Sequence, residues 1–385
     1  MTRTAGTYIV DASSGESVRA FVPANLPPEP PLELTADDLG LVERANRALG
    51  RLDGLTVLLP DPQLFIYFYV RKEAVLSSQI EGTQSSFSDL LMYESAEAPG
   101  VPLNDVQEVS SYVAAMQHGL RRMNEGFPLS LRLLREIHGL LLSSGRGSDK
   151  QPGEFRTSQN WIGGTRPGNA LYVPPPPYRV MECMGELEKF LHAEGIGTLI
   201  KAALVHVQFE TIHPFLDGNG RLGRLLITLL LCAEGALQQP SLYLSLYFKT
   251  HREAYYELLQ RVRTEGDWES WIRFFLTGVL ETSDQAVETA KKILAMFEEH
   301  RQRLRPLGRA AASALAVQEL LQRKPVLSVR DGAKALELSE PTVLASLRRL
   351  AAAGLVSEAT GKRRGQVFVY GPYIELLNQG TEPLR

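Results

Sequence analysis

Apolar residues recur at helical spacing over most of this 385-residue chain, and the breaks in that spacing divide it. The first 30 residues are short on helical period and end in Pro27-Pro28-Glu29-Pro30-Pro31, an extended and stiff segment. A helix is expected to open near Asp37. A second starts at Asp61-Pro62, where Asp caps and Pro suits the first turn. It runs through LFIYFYVRKEAVLSSQIE and stops at Gly82, a residue at ease in a left-handed conformation. Further helices are expected at about 104–123, 129–143, 178–194 and 197–211. Between them, residues 154–177 read EFRTSQNWIGGTRPGNALYVPPPP. Their Gly-Gly, Pro-Gly-Asn and four-proline run exclude helix and favour an extended hairpin or flap.

Helices resume at Arg221–Glu234, then at about 248–263 and 267–282, and 283–303 reads as a long connector. Pro306 and Gly308 mark a boundary. Beyond it AVQELLQ makes a helix, Ser328–Leu336 a second and Glu340–Ala353 a third, closed by Gly354. VSEATGKRRGQVFVYG then alternates as a hairpin with Lys362, Arg363 and Arg364 at its tip. No repeat of solenoid period is present.

Composition is that of a globular protein: 44% apolar and 22% charged residues rule out a mainly disordered or collagen-like chain. The net charge of −3 conceals an asymmetry. Residues 1–300 hold 27 basic and 37 acidic side chains, whereas 301–385 hold 14 and 7. An acidic body carrying a basic tail points to a separate anion-seeking module. Two cysteines, Cys183 and Cys232, make neither a disulfide framework nor a zinc site, and suit a reducing compartment. The N-terminus has no apolar signal-like core, and the longest strongly apolar stretch, Leu225 to Cys232, falls far short of the roughly 20 residues of a membrane span. A soluble, cytoplasmic protein is expected.

The most informative stretch is His213 to Arg224, HPFLDGNGRLGR. Leu199, Ile200, Ala203, Leu204 and Val207 precede it at helical spacing, and Leu225, Leu226, Leu229 and Leu230 follow it likewise. Asp217-Gly218-Asn219-Gly220 is therefore a tight loop joining two buried helices. Glycine lets an anionic ligand approach the main chain, and the following helix points unpaired N–H groups at it. Arg221 and Arg224, three apart on one face, add two permanent cations. Amides plus arginines suit a polyphosphate. Asn-Gly also signals a hairpin, but the flanks are helical. A calcium loop starting at Asp217 fails, because Arg221 takes a ligand position and Thr228 stands where Glu is required. No Gly-Lys-Ser/Thr follows, so this is not a P-loop.

These residues resemble the HxFx(D/E)GNGRxxR signature of the Fic (filamentation-induced-by-cAMP) family, with every defining position filled. The resemblance implies a mainly α fold, a helical core with a β-hairpin flap, and transfer of AMP from ATP to a hydroxyl side chain of a target protein. By position it makes His213 the general base, Asp217 the Mg²⁺ ligand, and Gly218, Asn219 and Gly220 the anion hole. It sets Arg221 on the phosphates and Arg224 on the γ-phosphate. The chemistry agrees: such a transfer needs in-line positioning and charge neutralisation more than covalent help.

Ser77 and Glu81, four apart, share a helix face; spacing alone suggests a solvated last turn. Together with Gly82, however, they resemble the family's inhibitory-helix motif (S/T)xxxE(G/N). The resemblance implies a Glu81–Arg224 salt bridge that keeps ATP from binding productively. Residues 154–177 resemble the family's flap, with Ile162, Gly163, Gly164 and Thr165 near nucleotide and a free edge to which a target segment adds as a strand. Tyr255 and Tyr256 match family tyrosines near the base, or are core aromatics; Arg263 departs from the polar residue some relatives carry there.

The tail resembles a winged helix-turn-helix, with Arg348 and Arg349 on its recognition helix and Lys362, Arg363 and Arg364 on its wing. That reading implies DNA backbone contact; the alternative is a protein-interaction or dimerisation unit with a solvated basic face. The expected division is 1–105 for the N-terminal region with the inhibitory helix, 106–282 for the catalytic core, 283–305 for a helical connector and 306–385 for the winged helix. A homodimer is expected from the resemblance. Two other functions fit the same residues: a DNA-binding regulator whose core senses nucleotide, and an enzyme that removes AMP, with Glu81 orienting water.

Overall fold

The computed structural model describes residues 3–12, 15–58, 62–94, 103–361 and 365–383. The chain opens with strands β1 (Gly6–Asp11) and β2 (Val18–Pro23), paired antiparallel from Gly6 opposite Pro23 to Asp11 opposite Val18. The helical body then runs through α1 (Ala36–Leu58), α2 (Pro62–Ile80), α3 (Phe87–Glu94), α4 (Leu103–Asn124) and α5 (Leu131–Leu141) to the 154–177 segment. It is completed by α6 (Pro177–Leu191), α7 (Thr198–Ile212), α8 (Asn219–Ala233), α9 (Ser245–Thr250), α10 (Arg252–Glu265) and α11 (Trp268–Leu304).

Local chemistry sets several of these boundaries. Thr35 and Asp38 exchange hydrogen bonds at the start of α1, Thr35 N donating to Asp38 Oδ2 at 2.8 Å and Asp38 N to Thr35 Oγ1 at 3.3 Å. This reciprocal cap satisfies amides that have no partner within the helix. Gly82, at φ +97°, follows α2 and turns the chain as expected. Helix α2 itself is not a surface element. From Phe68 to Ile80 each residue is buried, Arg71, Lys72, Glu73, Ser77, Ser78 and Gln79 included. A helix buried all round belongs to the core, and its polar groups need internal partners.

Three expectations are corrected. The helix expected at about 248–263 breaks at His251 into α9 and α10. Phe248 and Tyr255 stack with ring centroids 4.7 Å apart, whereas seven residues of straight helix would separate them by about 10 Å. Aromatic packing wins over helical continuity. The expected helix 267–282 and the helical connector after it are not separate: they run on as one 37-residue helix, α11, about 55 Å long. Val287, Ala290, Ile293, Phe297 and Leu304 continue its buried stripe without a phase change. The expected flap hairpin is reduced to one bridge, Ile162 to Tyr172, with a turn of 3-10 helix at Pro167–Asn169. Glycines at φ +70° (Gly163) and +71° (Gly164), followed by Pro167, bend the chain too soon for a longer ladder.

After a kink at Gly308 (φ 60°, ψ −127°) the chain forms α12 (Ala311–Arg323), β3 (Val326–Ser328), α13 (Val329–Leu336), α14 (Glu340–Ala352), β4 (Ser357–Glu358), β5 (Val367–Val369) and α15 (Gly371–Asn378). The three strands form an antiparallel sheet in the order β3-β5-β4. Ser328 and Ser339 cap α13 and α14 by accepting from Asp331 N and Thr342 N. The pattern of this region is as expected apart from β3 and α15. Helix α15 returns to the body: Tyr373 meets Phe68 of α2 edge-to-face at 5.3 Å. Beyond it, Lys72 Nζ donates to Gln379 O at 2.7 Å, Gln79 Nε2 to Thr381 O at 2.8 Å and Lys249 Nζ to Gly380 O at 3.1 Å. No described helix is long and apolar enough to cross a membrane.

Candidate active site

The site is built where α7 ends and α8 begins. Helix α7 is lined with buried leucine, valine and alanine and α8 with buried leucine and isoleucine, so the six-residue loop between them, 213–218, is held from both sides. His213 ends α7 in the left-handed conformation, φ 49° and ψ 61°, which an L-residue adopts at a cost and which turns its side chain off the helix. Buried Arg156 fixes that end: its Nε donates to His213 O at 2.9 Å and its Nη2 to Ile212 O at 3.4 Å. A cation on the last carbonyls of a helix satisfies them and meets the negative end of the dipole. Burial, joined by the guanidiniums of Arg263 and Arg156, lowers the His213 pKa to about 3. The imidazole is therefore neutral at pH 7.

The loop is shaped by Asn219, whose side chain is spent on Phe215: Oδ1 accepts from Phe215 N at 2.9 Å and Nδ2 donates to Phe215 O at 2.8 Å. Helix α8 starts with Leu222 N donating to Gly218 O at 3.0 Å. The amides of Asn219, Gly220 and Arg221 thus have no acceptor within the helix, and they make an anion cradle. Asp217 is partly exposed; its Oδ1 accepts from Gly218 N at 2.6 Å and Arg221 Nη2 at 3.4 Å. A carboxylate at the mouth of the cradle fits Mg²⁺, which is commonly held by one or two carboxylates plus substrate phosphates.

The two arginines differ. Arg221 Nη1 pairs with Glu108 Oε1 of α4, both side chains being buried. Arg146 reaches the same carboxylate at 3.4 Å and donates to Glu81 O at 2.9 Å. Arg224 is held by α2 and the turn after it: Nε donates to Ser77 Oγ at 2.9 Å, and Nη2 to Ser77 O at 2.9 Å and Glu81 Oε1 at 2.8 Å. Ser77 is fully buried, so the solvated-turn alternative is overturned. Burial alone would raise the Glu81 pKa; Arg224, with Arg221 and Arg146, overrides it and holds the carboxyl ionised. The Glu81 oxygen also lies over the cradle. A side-chain carbon on Gly220 would sit 2.2 Å from Glu81 Oε1.

Around this centre the expected residues separate. Ile162 forms the bridge to Tyr172, while Gly163, Gly164 and Thr165 lie at the exposed tip of the segment. Asn160 Nδ2 ties that segment to the loop by donating to Phe215 O at 2.9 Å. Tyr255 is buried, its hydroxyl 2.9 Å from His206 Nε2, and Tyr256 is 42% exposed beside it. Arg263 is turned inward, donating to Glu210 O at 3.2 Å. Arg348 and Arg349 are exposed on α14; Lys362, Arg363 and Arg364 lie outside the described residues. Sequence reasoning missed Glu108, His138, Arg146, Arg156 and Asn160. Their partners at the site, Arg221, Asp217, Glu81, His213 and Phe215, stand 113, 79, 65, 57 and 55 positions away, with no local spacing to flag them.

The helical body brings a helix N-terminus, two buried arginines and a histidine to one loop, a set of groups chemically suited to a phosphate. Residues 39–121 match the Fic/DOC family N-terminal description and residues 128–231 match the Fic/DOC family, so the chain is a Fic-domain protein. The "Protein adenylyltransferase Fic" of Culex quinquefasciatus is 31% identical over 211 residues, 53% of this chain and 39% of that one. Its Drosophila melanogaster namesake is 30% identical over 188 residues, 48% of this chain and 35% of that one. The chain thus spans well under half the length of these curated relatives. A Fic family protein from Desulfovibrio desulfuricans G20 shares the fold over 89% of this chain and 98% of its own, with TM-score 0.59 and 22% identity. Fic-1 from C. elegans does so over 66% and 74%, with TM-score 0.50 and 23% identity.

Proposed function

We propose that this protein is a self-restrained adenylyltransferase that moves AMP from ATP to a hydroxyl side chain of a target protein. One observation carries the reading. The residue that pairs with Arg224 and overlies Gly220 is a carboxylate from the turn that ends α2, so the protein's own anion stands where a polyphosphate would bind.

In the reaction, neutral His213 accepts the proton of the target hydroxyl as that oxygen attacks the α-phosphorus. The bond from phosphorus to the bridging oxygen breaks, and pyrophosphate leaves. The amides of Asn219, Gly220 and Arg221 would face the phosphates, together with the Arg221 guanidinium and the Gly218 N–H, which here donates to Asp217 Oδ1; Arg224, once free of Glu81, would take the γ-phosphate. Asp217 would hold Mg²⁺ together with phosphate oxygens, and the ion supplies charge neutralisation there. Tyr256, exposed beside buried Tyr255 with ring centroids 5.1 Å apart, would meet the base. A target segment would add to the free edge of 154–177, beside a cavity of about 720 Å³ lined by Ser158, Gln159, Trp161 and Tyr178 among others.

Intact mass spectrometry after incubation with Mg²⁺ and each nucleoside triphosphate tests this, using wild type and Glu81→Gly. The expected result is a gain of one AMP with ATP, larger in the variant; no gain in either form, and none on added cell protein, would overturn it.

The helix, strand, helix, helix, strand, strand order of residues 311–369 supports a second reading for the tail, a winged helix-turn-helix. Exposed Arg348 and Arg349 would then face DNA. Fluorescence anisotropy of the full chain on duplex DNA checks it: binding should weaken steeply with salt and weaken further in Arg348→Ala/Arg349→Ala.

A further inference from the structure

Buried His138 of α5 belongs to none of the roles assigned so far, yet it touches the loop. Its Nδ1 accepts from Gly153 N at 2.8 Å, and its Nε2 lies 2.9 Å from Asp217 O. An imidazole nitrogen that accepts an N–H carries no proton, so the proton is on Nε2 and is donated to the Asp217 carbonyl. The ring lies flat on Phe215, with centroids 3.7 Å apart and planes 12° from parallel. It therefore joins three parts: α5, the 145–156 loop through Gly153, and the cradle.

The consequence lies in the Asp217–Gly218 peptide. In a trans peptide the C=O and N–H point in opposite directions. With the carbonyl drawn toward α5, the Gly218 N–H faces the other way, to the side of Asp217 Oδ1 and Arg221. Gly218 is at φ +77°, and glycine is stable at either sign of φ, so the residue by itself does not prevent this peptide from turning over. Turned over, it would set a carbonyl oxygen where the phosphates need a donor.

We infer that His138 is a positioning residue that fixes the Asp217–Gly218 peptide with its N–H toward the phosphate side, an inference that adds to the adenylyltransferase reading and rests on it for its functional consequence. Two substitutions separate the hydrogen bonds from the packing. His138→Phe keeps the stack on Phe215 and removes both bonds, whereas His138→Gln can accept from Gly153 and donate to Asp217.

The experiment has a structural arm and a functional arm. Crystal structures of both variants report the peptide directly: it should be reversed or mixed with Phe and retained with Gln. Unchanged orientation with Phe overturns the inference. In the Glu81→Gly background, Phe should raise KM for ATP at least tenfold with a smaller loss in kcat, and Gln should return KM to within about threefold of its parent. Equal KM in all three forms also overturns it. If the Glu81→Gly parent transfers no AMP, the functional reading fails and the crystallographic arm alone decides the positioning. Should the Phe variant fail to fold, ¹⁵N NMR of the wild-type imidazole decides: a bare Nδ1 and a protonated Nε2 are expected, and the reverse tautomer overturns the inference.

Discussion

Glu81 Oε1 lies 2.8 Å from Arg224 Nη2, and the same carboxylate overhangs Gly220 at the start of α8. One side chain thus neutralises a cation and covers a helix N-terminus, two features that otherwise attract phosphate. Removing it in Glu81→Gly should free both. AMP transfer should rise by at least about tenfold, equivalent to ~1.4 kcal/mol of lost competition. An unchanged rate in a labelled-ATP assay would show that Glu81 restrains nothing.

Gly220→Ala makes a contrasting prediction. The added carbon would meet Glu81 Oε1 at 2.2 Å and Arg224 Nη1 at 3.1 Å. The carboxylate is the far end of a flexible side chain and can move, so the bridge should break while the protein stays folded. The same carbon would crowd an anion on the cradle. Transfer should therefore stay below that of Glu81→Gly, and the Gly220→Ala/Glu81→Gly double variant should bind ATP at least tenfold more weakly than Glu81→Gly. Calorimetric titration with ATP measures it.

The reach of the sequence stops at local spacing. His213 to Arg224 is one contiguous loop between two periodic helices, so its geometry was legible in full. Ser77 and Glu81 were legible as a pair on one face, but the complete burial of Ser77 was not, because it depends on what α4, α8 and the C-terminal residues place around α2. Arg221 illustrates the gap. Its charge was readable, while the carboxylate that holds it, Glu108, comes from another helix 113 positions away. Helix α11 was split in two because a domain boundary was expected at 282, and the continuous apolar stripe through Phe297 outweighs that boundary.

Buried titratable groups set the response to acid. Burial lowers His138 to about 4 and His206 and His213 to about 3, so the folded protein keeps these rings neutral while the unfolded chain protonates them below about 6.5. Each therefore removes ~1.4 kcal/mol of stability per pH unit as pH falls below that point. Glu73 and Glu210 act in the opposite sense. Burial raises both to about 7, so the folded form binds their protons first and gains stability as pH falls from 7 to the ordinary value near 4.5. The two sets largely offset each other above pH 4.5 and not below it. Thermal melts should show Tm falling gently from pH 6.5 to 4.5 and steeply beneath. In Glu73→Gln/Glu210→Gln the steep fall should begin near pH 6.5; identical profiles would refute the assignment.

The chain's last described residues bear on the same helix as the brake. Lys72 and Gln79 of α2 donate to the carbonyls of Gln379 and Thr381, Lys249 donates to those of Gly380 and Glu382, and Asn378 Nδ2 donates to Ser88 Oγ of α3 at 2.5 Å. Burial lowers Lys72 to about 8, which marks the cost of keeping that ammonium away from water. Ending the chain at Leu377 removes the four carbonyl acceptors and the Asn378 donor, and opens the lysines to solvent. Water takes over part of the lost bonding, so a destabilisation of about 2–4 kcal/mol is expected, less than the sum of the separate bonds. Gln79 lies two residues from Glu81, so loss of its bond to Thr381 loosens the turn that aims the carboxylate at Arg224. AMP transfer by the truncated chain should therefore exceed that of wild type, while truncation in Glu81→Gly should add nothing. A rise of equal size in both backgrounds would mean that the C-terminal residues act on the catalytic loop by another route and not through the brake.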